Sequence, residues 1–137
     1  MIAIQEKIQT FNQDTEDVQK EIVRGSDEHL DILGEFTSSV NGLTNRLVSI
    51  NEELVNAFNS MPKAEIQSCL VDMKDLYATL VKLKGVIRKS AFYKDAPNTY
   101  SSLASGTEEL REMIYDLENF RLKEDDFDDF LGELNHL

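Results

Sequence analysis

Asn59-Ser60-Met61-Pro62 stands between ILGEFTSSVNGLTNRLVSINEELVNA (residues 32–57) and IQSCLVDMKDLYATLVKLKGVI (residues 66–87), and the reading of these stretches decides the fold. In the first, apolar residues recur at Ile32, Phe36, Val40, Leu43, Leu47, Ile50, Leu54 and Ala57. Steps of four and three keep one stripe on one side of a helix. The second stretch repeats the spacing at Ile66, Cys69, Met73, Leu76, Leu80, Leu83 and Ile87. Leu70 and Tyr77 widen that stripe towards a third partner, which suits a bundle better than a two-stranded coil. Pro62 cannot continue a helix from before it but fits the first turn of a new one, and Ser60 is placed to cap the exposed amides there. Two long antiparallel amphipathic helices are therefore expected on either side of this corner. Folding the chain about position 61 also sets Asp27, Glu28, Asp31 and Glu35 beside Lys84, Arg88, Lys89 and Lys94. Each such exposed pair contributes only ~0–1 kcal/mol, so the match bears on register and orientation and leaves stability to the stripes.

Upstream, Ile4, Ile8, Phe11, Val18 and Ile22 form another stripe, with Thr15 in the slot between Phe11 and Val18. Arg24-Gly25 resembles a helix C-terminal cap, and Ser26-Asp27-Glu28 resembles a fresh N-cap with an acidic first turn. The apolar slots nonetheless run on through Gly25 and His29 to Ile32 without a shift. A break here, giving four helices able to pack as one bundle, is the expectation; one continuous helix through residue 59 is the alternative. Gly34 and Gly42 lie eight residues apart, on nearly the same helix face. They are either points of close helix approach or tolerated surface glycines.

Downstream, Asp95-Ala96-Pro97-Asn98-Thr99 reads as a second corner, with Thr99 able to cap the next helix. Leu103, Leu110, Met113, Ile114, Leu117 and Phe120 mark that helix, in which Ser105-Gly106-Thr107 suggests a late start or a strained first turn. The terminal stretch from Glu124 to Leu137 places Phe127, Phe130, Leu131 and Leu134 on one helical face among acids. That pattern suits a short amphipathic helix laid into a partner's groove or closing the end of its own bundle. The expected helices are about 2–24, 26–59, 62–93, 98–122 and 125–136 within one all-α domain, an antiparallel bundle or coiled-coil hairpin of about four helices plus a short C-terminal one.

Composition agrees with this and narrows the function. The chain of 137 residues is 41% hydrophobic with two prolines, six glycines and no tryptophan. Scant apolar-polar alternation argues against a β-rich fold. The formal charge of −12 leaves no surplus of Lys and Arg for a phosphate backbone, so nucleic acid is not an expected partner. Charge is uneven: from Lys74 to Lys94 six bases face the single acid Asp75, whereas from Glu108 to Glu133 eleven acids face Arg111, Arg121 and Lys123. One cysteine, Cys69, sits in a stripe, which excludes a disulfide within the chain and points to a buried thiol in a reducing compartment. No apolar run reaches the ~20 residues of a membrane span, and the first residues lack a signal-peptide core, so a cytoplasmic setting is expected.

Candidate chemistry is sparse. Glu133-Leu-Asn-His136 has the Glu-x-x-His spacing of di-iron bundles, but such sites need two of these motifs and two further glutamates, so no metal or cofactor is expected. Arg24-Gly-Ser-Asp-Glu-His29 resembles over six residues the Arg-x4-His active-site spacing of the HEPN ribonucleases, which are also helical bundles. Membership would imply RNA cleavage with His29 in the active site; the family usually has Asn directly after the Arg, where this chain has Gly25. A histidine phosphotransfer role for His29 would call for a nearby lysine, which Leu-Asp-Ile-Leu-Gly does not supply. The expectation is a non-enzymatic adaptor, assembly subunit or small chaperone that pairs helices with a protein partner or with itself, and Phe127, Phe130, Leu131 and Leu134 are its candidate contact residues. The alternatives are a HEPN-like ribonuclease using His29 and an acidic inhibitor that mimics nucleic acid.

Overall fold

The computed structural model describes residues 4–25, 29–90 and 92–121. Four long helices pack against one another as an all-α bundle: α1 (Ile4–Gly25), α2 (His29–Phe58), α3 (Lys63–Lys89) and α5 (Pro97–Asp116). A four-residue helix, α4 (Phe92–Asp95), intervenes between α3 and α5, and a π-helical turn (Leu117–Arg121) prolongs α5. There is no strand among the described residues.

The stripes of the sequence are the core. Ile8, Phe11 and Ile22 of α1, Phe36 to Leu54 at the predicted positions of α2, all seven predicted positions of α3, and Leu103 and Leu110 of α5 are buried. Thr15 is wholly buried, and its hydroxyl donates to the Phe11 carbonyl at 2.8 Å, so a polar side chain fills the slot with no orphaned donor. Thr44 and Thr107 do the same to Val40 and Leu103.

Helix periodicity fixes which face is buried but not which helix covers it. Here α1 lies against both α2 and α3, and α5 also lies against both. Although only four residues join them, α2 and α3 thus face each other across the bundle's diagonal. Helix axes in contact are ~8–10 Å apart, which makes the diagonal ~14 Å, within the ~16–18 Å that five extended residue steps can span. Phe58 before the corner and Ile66 after it are buried, and Met61 packs on the core, so the crossing seals that end.

Ion pairs give the directions. Lys7 meets Glu53 and Asp14 meets Arg46, so α1 and α2 are two antiparallel helices and not one continuous helix. Phe36 stacks on Phe92 and Asn51 reaches Gly106, so α2 and α5 run parallel. The acid-base match expected at the open end is not among the ion pairs of the described residues: Glu35 is exposed, and Asp27 and Glu28 lie outside them.

Corner chemistry differs from expectation at three points. Ser60 does not cap α3; its hydroxyl donates back to the Ala57 carbonyl at 3.4 Å and closes the end of α2, while α3 begins after Pro62 with no side-chain cap. The helix expected through residue 93 stops at Lys89, because Ser90 adopts an extended backbone, donates its hydroxyl to the Ile87 carbonyl at 2.7 Å and accepts from the Phe92 amide. Thr99 is buried inside α5 and caps nothing, since Pro97 already occupies the first turn, where its missing N–H costs no hydrogen bond.

The glycines divide clearly. A methyl group added at Gly34 or Gly42 would meet nothing within 4 Å, so neither is a point of close approach. Gly34→Ala and Gly42→Ala should each stabilise the fold by ~0.5–1 kcal/mol in chemical denaturation, through better helix propensity and a less free unfolded chain. Close approach occurs at Gly106, where an added Cβ would lie 2.9 Å from Leu47 Cδ2. Ser105-Gly106-Thr107 is therefore neither a late start nor a strained first turn: Gly106 and Thr107 are the mid-helix surface on which α2 rests.

Candidate functional site

Neighbouring helices are tied across most of their seams. Lys7 Nζ lies 2.8 Å from Glu53 Oε1, and Arg46 lies 2.8 Å from Asp14 with its guanidinium 5.1 Å above the Phe11 ring. Between α1 and α3, Gln5 Nε2 donates to Ser68 Oγ at 2.9 Å and to Asp72 Oδ2 at 3.0 Å. On the other side of α3, Lys74 Nζ lies 2.7 Å from Glu118 Oε1 in the π-helical turn.

The seam between α2 and α5 is built differently. Contact at Leu47 and Gly106 holds the helices close, and Asn51 Nδ2 donates to the Gly106 carbonyl at 3.2 Å and to Glu109 Oε2 at 3.5 Å. Beyond Asn51 a groove of about 460 Å³ opens. Its α2 wall carries Glu52, Val55 and Asn56, and its α5 wall carries Glu109, Glu112, Met113 and Asp116. Four carboxylates line it with no Lys or Arg, and none of the four is ion-paired among the described residues. Arg111, the base of α5, lies beside Glu112 and Asp116 but is engaged by Glu108, to which it donates through Nε at 2.8 Å, and this hydrogen bond holds the Glu108 carboxyl below its usual range. Val55, 54% exposed, and half-buried Met113 give the groove an apolar floor.

Asn51 is 4% exposed, and its Oδ1 has no hydrogen-bond partner. The amide orientation is fixed by its neighbours: the Gly106 carbonyl and the Glu109 carboxylate both accept, so the NH2 group must face them and the oxygen must face elsewhere. A buried acceptor without a donor is uncommon in folded proteins.

Cys69, singled out by its place in a stripe, is wholly buried, and burial, aided by the Asp72 carboxylate, pushes its thiol from 9.0 up to about 11. It should resist alkylation until the chain unfolds. In the native state the thiol stays protonated between these values while the unfolded thiol ionises, so its contribution to stability is full below pH 9.0 and is lost as pH rises to about 11. Melting curves of Cys69→Ala across that window should lack this share of the decline. Arg24 is exposed in the last turn of α1, and His29 opens α2 with its side chain outside the described residues. Glu133, His136 and the contact candidates Phe127, Phe130, Leu131 and Leu134 also lie outside them. Among the described residues no three His, Cys, Asp or Glu side chains cluster as a metal site would require.

Sequence reasoning passes over the groove because its walls come from segments more than fifty residues apart. Asn51, directly after the stripe residue Ile50, is the one signal within reach: a polar side chain at the edge of a buried face.

Compared with protein families, curated proteins and solved structures, the chain matches none. Its class is that of an all-α bundle whose described helices include none long and apolar enough to cross a membrane.

Proposed function

We propose that this chain is a non-enzymatic interaction protein, an adaptor, assembly subunit or small chaperone, that works by pairing its helices with those of a protein partner. One observation carries the proposal: beyond the Asn51 hydrogen bonds the α2–α5 seam widens into a groove lined by four acids and crossed by no ion pair among the described residues, whereas the groove on the α1–α2 seam is crossed by Lys7–Glu53 and Arg46–Asp14. Grooves between helices are common seats for a further amphipathic helix. By their spacing, Phe127, Phe130, Leu131 and Leu134 offer a second contact face on the same proposal. A lone buried thiol suits a cytoplasmic setting.

A photo-crosslinking residue placed at Val55, in the groove, and separately at Val81, on the exposed face of α3, tests this in the organism's own cells. A discrete adduct at position 55 and none at 81 is expected; equal patterns at both would remove the groove from the function. Purified protein should also leave RNA intact. Cleavage that His29→Ala abolishes in a still folded chain would replace interaction with ribonuclease activity.

A further inference from the structure

We infer that the α2–α5 groove receives a basic amphipathic helix of another protein, with Arg or Lys side chains among Glu52, Glu109, Glu112 and Asp116; this rests on the interaction function proposed above.

The walls state the charge of the occupant. Four carboxylates, with Arg111 as the nearby base already committed to Glu108, form a local negative field, which attracts and orients a cationic partner. Glu109, Glu112 and Asp116 recur at steps of three and four along α5, rising ~10 Å over two turns, which is the spacing of one face of a helix laid alongside. The floor states the shape. Val55 and Met113 offer apolar surface between the acids, which an apolar stripe can cover and a small polyamine cannot.

Asn51 closes the inner end of the groove: its NH2 group is committed to the Gly106 carbonyl and to Glu109 and its oxygen is wholly buried, so the acids and the apolar surface between them are what an occupant meets. A second copy of this chain fits less well, because at a formal charge of −12 copies repel. Two of its own candidate bases are also engaged, Lys74 with Glu118 and Arg88 over the Tyr93 ring.

The test uses the full chain and a fluorescein-labelled synthetic helix with leucines along one stripe and Arg or Lys at i, i+3 and i+7 beside it, read by anisotropy. A matching peptide with Glu in place of the bases is the comparison. The basic peptide should bind and the acidic one should not. Glu109→Gln with Glu112→Gln should weaken binding by about tenfold, as should high salt. Glu16→Gln with Asp17→Asn, an equal charge change on exposed residues of α1, should leave it unchanged. Failure of the basic peptide to bind overturns the inference, while a crosslink at Val55 would still uphold the broader function. Equal losses in the two double variants would reduce the effect to net charge and overturn it, and so would spermidine binding at the groove with no preference for the peptide.

Discussion

Phe92→Ala should lower the stability of the fold by ~3–5 kcal/mol, the range for emptying a buried aromatic position. The ring is wholly buried and stacks on Phe36 with centroids 4.2 Å apart and planes 11° from parallel, joining the start of α2 to the link between α3 and α5. The residue also anchors that link through its backbone, since its amide donates to Ser90 Oγ at 3.2 Å and its carbonyl accepts from Ala96 at 2.9 Å. Because the backbone bonds survive truncation, the loss measures packing alone. Urea unfolding with an unchanged slope and a lower midpoint is the expected record. A loss under ~1 kcal/mol would mean that the stacked pair does not close the bundle at this end.

Leu47→Ala should cost ~2–5 kcal/mol, and its effect should depend on Gly106. In the native background Gly106→Ala forces Leu47 Cδ2 away from a 2.9 Å approach. Overpacking at ~1–3 kcal/mol outweighs or cancels the ~1 kcal/mol that alanine gains in helix propensity. With Leu47 already cut back, the same alanine enters vacated space and should stabilise. A double-mutant cycle should therefore give a coupling of ~1–3 kcal/mol in favour of the pair. Additive losses would place the closest approach of α2 and α5 somewhere other than these two residues.

The legible part of the fold is what depends on local spacing. Stripes at three and four residues give the helices and nearly all of the core, from Ile8 and Phe11 through Leu80 to Leu110, because burial of one face is written along a single segment. Side-chain hydrogen bonds at the corners are harder. Ser60 has the chemistry to cap either the amides after it or the carbonyls before it, and only the backbone geometry at Ala57 selects the second. Ser105-Gly106-Thr107 misleads for a related reason: small residues that interrupt a helix in isolation are also those that let another helix come close. Nothing local says that α1 and α5 separate α2 from α3, and the groove beside Asn51 results from that arrangement. The acids Glu109, Glu112 and Asp116 read in sequence as part of a long acidic run; their meeting with Glu52 and Val55 needs the fold.

The diagonal corner at residues 59–62 also bears on how the molecule holds together. It divides the chain into two helix pairs, α1 with α2 and α3 with α5, which pack on each other through α1–α3 and α2–α5, and it is the one covalent tie between them. Every contact across that tie is a contact between surfaces and is indifferent to which chain supplies each half. Were Pro62 replaced by a residue that lets α2 run straight into α3, two copies could exchange halves and bury the same core twice, with the crossing opened into a shared rod. Pro62 and the sealing residues Phe58 and Met61 thus set the stoichiometry of this architecture as much as its shape: a bent corner keeps both halves in one molecule.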